Sequence, residues 1–187
     1  MTKNIYICFD ICWVFCYYII MKSNILLVGL DYDFVKSVAN ELANKFDMFF
    51  LDVNDLIEYN LMDTENVKVT CGIEYFEKVE KKIALSVAEY ENTVINFPYS
   101  LFLNANFSNI LSKRAITIFI KMDKETLVKE NFRRKENKLS IEILTCEELN
   151  KLLTEKAEMV VENSTLNTKI CIDDIINELK KIKIDKK

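Results

Sequence analysis

The sequence predicts an α/β protein of three layers, in which helices cover both faces of a central parallel sheet of five strands. Short runs rich in Ile, Leu and Val alternate along the chain with longer amphipathic stretches, and strands that alternate with helices typically form a parallel sheet. No Gly-, Ser- or Pro-rich linker interrupts residues 22–187. The sequence therefore predicts a single domain over this range, with ligands expected at the carboxyl ends of its strands.

The individual elements follow from the spacing of the apolar residues. An Ile-Leu-Leu-Val run predicts a buried first strand over Asn24–Gly29, and apolar side chains at helical spacing predict a helix over residues 35–46. Further strands are expected at residues 48–52, 93–97, 115–121 and 157–162. Further helices are expected at residues 55–59, 73–90, 124–134, 146–156 and 172–182.

Composition argues against several classes of function. Half of the 187 residues are hydrophobic and the net charge is −4, which is typical of a globular protein and not of a disordered one. The chain has no histidine, so histidine-based triads and histidine-ligated metal sites are not expected. The six cysteines include no C-x-x-C pair, and a cytoplasmic location without disulfides is predicted. The acidic character of the domain argues against nucleic acid as a partner.

Residues 1–21 differ in composition from the predicted domain. The stretch IYICFDICWVFCYYII at residues 5–20 is apolar apart from Asp10, and its sixteen residues fall short of the ~20 that a membrane-spanning helix needs. Our first interpretation is an apolar upstream extension, with Met21 as the natural start of the chain. The alternative is a membrane anchor formed by residues 5–20, and without such an anchor no membrane partner is expected.

The segment after the first strand has the position of a phosphate-binding loop but not its sequence. Such a loop reads G-x-x-x-x-G-K-[S/T], because glycines let backbone N–H groups close on the phosphates and the lysine neutralises their charge. Counted from Gly29, Phe34 takes the place of the second glycine and Val35 takes the place of the lysine. The sequence therefore predicts the fold more clearly than it predicts an activity.

From Asn24 to about Leu179 the chain resembles the shikimate kinase family, in the nucleoside monophosphate kinase-like branch of P-loop proteins. The resemblance rests on the order of the elements and on five short motifs: NILLVG, FFLDVNDLIEY, GIEYFEKVE, NTVIN and TIFIKMDKETLVKE. It implies a P-loop kinase-like fold, ATP and Mg²⁺ as cofactors, and transfer of a phosphoryl group to a small molecule.

The resemblance assigns the nucleotide contacts to a few residues. Gly29 keeps the first glycine of the loop, and a slip of one residue would let Lys36 bind the phosphates and Ser37 bind Mg²⁺. The alternative is that Lys36 is a solvated helix residue. Arg133 and Arg134 supply positive charge where the family has a lid arginine over the nucleotide, although a basic run after a helix is also typical of a solvated helix end.

On the acceptor side the resemblance gives a mixed result. Asp52 aligns with the carboxylate that binds and activates the substrate hydroxyl, and Asn54 replaces the second carboxylate of the family's D-x-D motif as a substrate contact. Glu77 stands where the family has an arginine for the substrate carboxylate, so shikimate would meet repulsion there. Pro98 replaces part of a glycine-rich turn and removes one backbone N–H group.

Two functional hypotheses follow, and they leave open whether the chain is an enzyme. The first is a catalytically impaired pseudoenzyme with degenerate ATP- and shikimate-binding motifs, which binds a small anion, a nucleotide or a protein partner. The second is a divergent ATP-dependent phosphotransferase that uses Lys36, Ser37, Asp52 and a lid arginine on an acceptor other than shikimate.

Overall fold

The structure of the protein is a computed structural model, and it describes residues 22–133, 143 and 145–181. The predicted extension at residues 1–21 and the predicted lid residue Arg134 lie outside the described residues, so the domain boundary stays a prediction. No helix within the described part of the chain is long and apolar enough to span a membrane.

The described residues form a five-stranded sheet in which every pairing is parallel, which confirms the predicted fold class. The strands are β1 (Asn24–Gly29), β2 (Phe49–Asp52), β3 (Thr93–Asn96), β4 (Ala115–Lys121) and β5 (Met159–Glu162). Their order across the sheet is β2-β3-β1-β4-β5. β1 is therefore central and all of its residues are buried, which explains its unbroken apolar run.

Helices cover both faces of this sheet. They are α1 (Tyr32–Phe46), α2 (Val53–Leu61), α3 (Thr64–Cys71), α4 (Ile73–Ser86), α5 (Tyr99–Phe102), α6 (Ala105–Leu111), α7 (Lys124–Arg133), α8 (Cys146–Lys156) and α9 (Thr168–Lys181). α1 and α9 contact each other on one face, where Nζ of Lys45 lies 3.0 Å from Oδ1 of Asp173. Because crossovers between parallel strands are right-handed, the connections from β2 to β5 run over the other face.

The start of α1 differs from the prediction. Its buried stripe consists of Phe34, Val35, Val38, Ala39, Leu42 and Ala43, as the apolar spacing indicates. The helix nevertheless begins at Tyr32 and not at residue 35, because Asp31 caps it: Oδ1 of Asp31 accepts a hydrogen bond from the N–H of Phe34 at 3.0 Å. Residues 32–34, which the phosphate-loop motif would place in an irregular loop, are therefore helical.

Other boundaries shift by a few residues, and three helices are not predicted by the sequence pattern at all. α4 ends at Ser86 and a 3₁₀ turn follows at Val87–Glu89, whereas the prediction is one helix over residues 73–90. α3 has no buried residue, so it lacks the apolar periodicity that reveals a helix. α5 and α6, at 4 and 7 residues, are too short to show a clear period.

The turn between β1 and α1 depends on a glycine. Only Leu30 and Asp31 connect the two elements. A Cβ atom at Gly29 would lie 2.6 Å from Cγ2 of Val35 and 3.1 Å from the carbonyl oxygen of Ile120. Val35 is 1% exposed, so its side chain has no open space to move into, and β1, α1 and β4 approach each other this closely because residue 29 has no side chain.

We expect Gly29→Ala to lower the free energy of unfolding by about 1–3 kcal/mol, because the new methyl group overpacks this junction. Val35→Ala alone should also destabilise the protein, since it leaves a cavity. The double variant should lose less than the sum of the two single losses, because removing Cγ2 of Val35 makes room for the new Cβ. Denaturant unfolding of the four chains measures the coupling, and strict additivity would contradict this account of the junction.

Candidate functional site

A buried carboxylate, Asp52, lies at the carboxyl end of β2 and forms the centre of the candidate site. Its side chain is 0% exposed. Oδ1 accepts hydrogen bonds from the Tyr32 hydroxyl at 2.9 Å and from the Asp55 N–H at 2.9 Å, and Oδ2 accepts one from Nδ2 of Asn96 at 2.8 Å. One carboxylate therefore joins the start of α1, the first turn of α2 and the end of β3.

Local structure explains why these groups meet. Asp52 is the N-cap residue of α2, a position that favours aspartate because its carboxylate accepts a backbone N–H of the first turn. In the parallel register of β2 and β3, Asp52 stands opposite Asn96. Tyr32 lies in the first turn of α1, which begins at the same edge of the sheet.

Lys36 extends this cluster toward solvent. It follows Tyr32 by one helical turn, so both side chains leave α1 on the same side. Nζ of Lys36 lies 2.7 and 2.8 Å from the two carboxylate oxygens of Asp55, and 3.6 Å from Oδ2 of Asp52. The amine thus forms an ion pair with Asp55 at the surface and also faces the buried carboxylate.

The cluster shifts the pKa of both of its α1 side chains upward. Burial raises the pKa of Tyr32 far above its ordinary value, and the negative charge of Asp52 raises it further. For Lys36, partial burial lowers the pKa, but the hydrogen bond to Asp55 and the charge of Asp52 outweigh it, so the pKa is raised. At neutral pH the phenol is therefore protonated and the amine is charged.

The other predicted acceptor and metal residues take peripheral positions. Ser37 is exposed, and its hydroxyl donates to the carbonyl oxygen of Asp33 at 3.0 Å within α1. The backbone N–H of Asn54 donates to the Tyr32 hydroxyl at 3.3 Å, while the Asn54 residue is exposed. The structure thus brings Lys36, Asp52 and the backbone of Asn54 together, but not the Ser37 hydroxyl.

The predicted phosphate contact at Gly29 lies below the capped start of α1. Besides the bond from the Phe34 N–H to the Asp31 side chain, the N–H of Val35 donates to the carbonyl oxygen of Asp31 at 3.1 Å. Exposed N–H groups at a helix start are ready anion-binding groups. Here the N–H of Phe34 donates instead to a carboxylate of the chain itself.

The predicted lid residue Arg133 forms a two-point ion pair within α7. Its Nε lies 2.7 Å from Oε2 of Glu130 and its Nη2 lies 2.6 Å from Oε1 of the same residue. The Glu130 side chain is buried while that of Arg133 is largely exposed. The guanidinium group is thus held by a neighbour one helical turn away.

Besides Asn54, the sequence departs from the family's acceptor motifs at Glu77, which is exposed, and at Pro98, which is buried. Glu77 lies on the exposed side of α4, where Oε2 is 3.5 Å from Nζ of Lys81. Pro98 is buried and precedes α5, and its carbonyl oxygen accepts the Phe102 N–H at 3.0 Å.

Sequence reasoning missed three members of the cluster: Tyr32, Asp55 and Asn96. A signal existed for two of them. Asp55 follows Asp52 at the spacing of a helix cap and its first turn, and Asn96 is the polar residue that ends the apolar strand TVIN. Tyr32 carries no such signal, because the sequence places it in a loop. Oδ1 of Asn96 is buried and meets no hydrogen-bond donor among the described residues.

Comparisons with known proteins point to one family. The family model described as shikimate kinase matches residues 36–180. A shikimate kinase of Sulfurihydrogenibium sp. (strain YO3AOP1) is 27% identical over 107 residues, which cover 57% of this chain and 64% of that protein, so the match spans less than two thirds of its length. A shikimate kinase of Haemophilus influenzae (strain PittEE) is 25% identical over 169 residues, which cover 83% of this chain and 92% of that protein.

Solved structures share the fold. The shikimate kinase of Bacteroides thetaiotaomicron has a TM-score of 0.68 at 19% identity, over 85% of this chain and 96% of that one. The shikimate kinase of Acinetobacter baumannii in complex with shikimate has a TM-score of 0.68 at 18% identity, over 91% of this chain and 98% of that one. At this level of identity the likeness concerns the fold.

We expect Asp52→Ala to lower the free energy of unfolding by about 3 kcal/mol, because it leaves the Tyr32 hydroxyl, the Asp55 N–H and the Asn96 amide without their acceptor. The matched control is Asp55→Asn, which removes the partner of Lys36 at the surface and should change stability by about 1 kcal/mol or less. Urea unfolding measures both, and equal effects of the two substitutions would show that the buried cluster does not hold the site together.

The raised pKa of Tyr32 predicts a stability that falls at alkaline pH. Below its ordinary pKa of 10.0 the phenol is neutral in both states; above it the unfolded chain releases the proton while the folded chain keeps it, so stability decreases as pH rises. Folding also raises the pKa of Lys36 above its ordinary value of 10.5. Lys36 therefore also makes the stability fall as the pH rises. We expect Tyr32→Phe to flatten the decline of the free energy of unfolding above about pH 10. The control Tyr59→Phe, at an exposed position, should leave the decline unchanged. Urea unfolding at a series of pH values measures it, and parallel pH dependences for the wild type and both variants would contradict the role of Tyr32.

Proposed function

The chain belongs to the shikimate kinase family, and from this premise we propose that it is a catalytically impaired member whose role is binding and not phosphoryl transfer. The observation that carries the proposal is the self-capped start of α1. In P-loop proteins the N–H groups of the loop and of this helix start bind the phosphates of the nucleotide. In this chain the Asp31 carboxylate accepts the N–H of Phe34 at 3.0 Å, so an anion of the protein already uses one of these donors.

Electrostatics at the same place supports this proposal. Two like charges ~4 Å apart repel each other by about 4 kcal/mol at an effective dielectric constant of about 20, and a phosphate at the start of α1 would meet the Asp31 carboxylate at such a distance. Val35, at the position of the family's lysine, is buried against Gly29 and supplies no positive charge. These residues do not fit a MgATP site of the family's kind.

The positions of Lys36 and Ser37 also support the loss of nucleotide chemistry. To reach a phosphate, Lys36 would have to leave Asp55, to which it forms two short hydrogen bonds, and Asp52. Ser37 would have to release the carbonyl oxygen of Asp33 before its hydroxyl could face a cation. Both side chains therefore already bond to other groups of the protein in the structure as it stands.

The acceptor side supports the proposal independently. Asp52 would act on a substrate hydroxyl through a carboxylate oxygen, and both of its oxygens already accept hydrogen bonds from the chain. The Tyr32 hydroxyl occupies Oδ1 as a substrate hydroxyl would. With Glu77 at the position of the family's arginine, an acidic acceptor such as shikimate would also meet a like charge.

In this proposal the protein is cytoplasmic and binds a small anion, a nucleotide in a manner that does not use the loop, or a protein partner. The second candidate is the divergent ATP-dependent phosphotransferase. One observation favours it: Nζ of Lys36 lies 3.6 Å from Oδ2 of Asp52, so a cation and the acceptor-side carboxylate stand together at the end of β2. Displacement of Tyr32 and Asp55 would expose that pair to a substrate.

Titration calorimetry with MgATP on the full chain separates the two candidates. We expect no heat of binding up to millimolar nucleotide, because the phosphate donors are capped and the loop lysine is missing. The Haemophilus influenzae shikimate kinase, in the same buffer, provides the positive control.

Lys36→Ala is the matched variant. If the chain binds MgATP at micromolar concentration and the variant does not, Lys36 contacts the phosphates and the phosphotransferase replaces the pseudoenzyme as the function. If the variant still binds MgATP, the nucleotide site lies away from the loop. The pseudoenzyme hypothesis then holds only if the bound nucleotide does not transfer its phosphoryl group.

A further inference from the structure

β5 forms one edge of the sheet, at the opposite end from β2 and the candidate site. Within the described residues the strand order ends at β5, which pairs with β4 on one side and with no strand on the other. An unpaired strand edge presents N–H and C=O groups to which another extended chain can bond. The outer side of β5 is therefore a place where the protein can accept a further strand.

The register shows which backbone groups of β5 face outward. Lys121 stands opposite Glu162, and the carbonyl oxygen of Lys121 accepts the Asn163 N–H at 2.9 Å. In a parallel pair the residue that bonds to the neighbours of its opposite residue leaves the N–H and C=O of that opposite residue on the other side. The backbone groups of Glu162 therefore point away from β4, and those of Val160 do so as well, because the direction repeats every second residue.

A cleft of about 660 Å³ lies beside this edge. The β5 residues Val160, Val161 and Glu162 line it together with four residues of α9, which are Asp174, Asn177, Glu178 and Lys181. These four residues are spaced by three or four positions, so they form one stripe along the helix. The buried face of α9 consists of other residues, and the stripe is polar throughout.

The charge of the cleft is negative. It contains three carboxylates, of Glu162, Asp174 and Glu178, and the amine of Lys181. Nζ of Lys121 lies 2.8 Å from Oε1 of Glu162, and Lys181 forms an ion pair with Glu178. Exposed ion pairs of this kind contribute little to stability, so the carboxylates can exchange these partners for other cations.

We propose that the edge of β5 accepts, as a sixth strand, an extended segment of a protein partner that carries lysine or arginine at alternate positions. The backbone of this segment bonds to the N–H and C=O groups of Val160 and Glu162, as in other cases of strand addition to a sheet edge. Alternate side chains of a strand point to the same face, so one set of basic side chains meets Asp174 and Glu178 on α9.

The charge favours such a partner over a second copy of the same chain. Pairing of two β5 edges would bring Glu162, Asp174 and Glu178 of one copy toward the same carboxylates of the other. Like charges that face each other across a strand pair are destabilising, and charged side chains on an edge strand commonly prevent pairing between identical edges. A basic segment meets attraction at the same positions.

The lengths of the two sides agree. The four residues of β5 rise about 13 Å, and the stripe from Asp174 to Lys181 rises about 10 Å along α9. The cleft therefore suits about four residues of extended chain.

Titration calorimetry with the acetylated and amidated peptide KVKVKVK on the full chain tests the proposal. We expect micromolar binding, and no binding of the peptide EVEVEVE up to millimolar concentration. The same KVKVKVK peptide N-methylated at every inner residue keeps its charge but cannot bond to a strand edge, and it should not bind either. Equal binding of the methylated peptide, or no binding of KVKVKVK, would overturn the proposal.

Asp174→Lys combined with Glu178→Lys should weaken the binding of KVKVKVK by about tenfold or more, because attraction becomes repulsion. The matched control is Glu147→Lys combined with Glu155→Lys, at exposed positions of α8, which changes the net charge equally and should leave the affinity unchanged. Equal losses in both double variants would show a general effect of charge and overturn the site at β5.

Amide hydrogen exchange followed by NMR tests the strand addition directly. KVKVKVK should slow the exchange of the Val160 and Glu162 N–H groups, whereas that of Val161, which faces β4, should not change. Slow exchange of both amides in the free chain would overturn the proposal. Independence from protein concentration would then assign the edge to the chain itself, and dependence on it would assign the edge to a second copy. No nucleotide is present, so a negative result leaves the proposed loss of catalysis unaffected.

Discussion

The carboxylate of Asp52 is the interaction on which the arrangement of the candidate site depends. A fully buried charge is costly unless its lone pairs are satisfied, and this one is satisfied by a phenol, a backbone N–H and an amide from three separate elements. α1, α2 and β3 must therefore meet within hydrogen-bonding distance of a single side chain. This arrangement around Asp52 agrees with the β1–α1 turn, with the N-cap of α2 and with the position of Lys36.

The same polar groups can bind either a ligand or other groups of the protein, and in this structure they form hydrogen bonds within the chain. At the carboxyl end of a parallel sheet, helix starts and strand ends leave donors that substrates often use. Here Asp31 accepts one of these donors, Asp52 accepts three, and Lys36 neutralises part of the resulting negative charge. Our proposal that the chain is a pseudoenzyme rests on these hydrogen bonds and ion pairs within the protein, more than on the absence of any single motif residue.

The sequence predicted the sheet well because burial on both faces leaves an unmistakable pattern. The runs NILLVG and AITIFIK appear in the structure with the predicted bounds, as does α8. α3 could not be predicted in the same way, since a helix without a buried face has no apolar period. Within the site, Asp52 and Lys36 were identified by resemblance, while Tyr32 was missed because its role depends on where α1 begins. That start is decided by the Asp31 cap, which is a local interaction, and by the packing of Val35 over Gly29, which is a tertiary contact; the loop motif contains neither.

The self-capped start of α1 has a thermodynamic consequence for the whole protein. An enzyme that binds a nucleotide at 100 times its dissociation constant gains about 2.7 kcal/mol of stability by mass action, and its folded population then varies with the supply of that nucleotide. A carboxylate built into the chain contributes about 1 kcal/mol as a helix cap, but it does so at a fixed effective concentration. In the pseudoenzyme that we propose, the stability of the fold would therefore not depend on the supply of nucleotide, whereas that of a nucleotide-binding relative would.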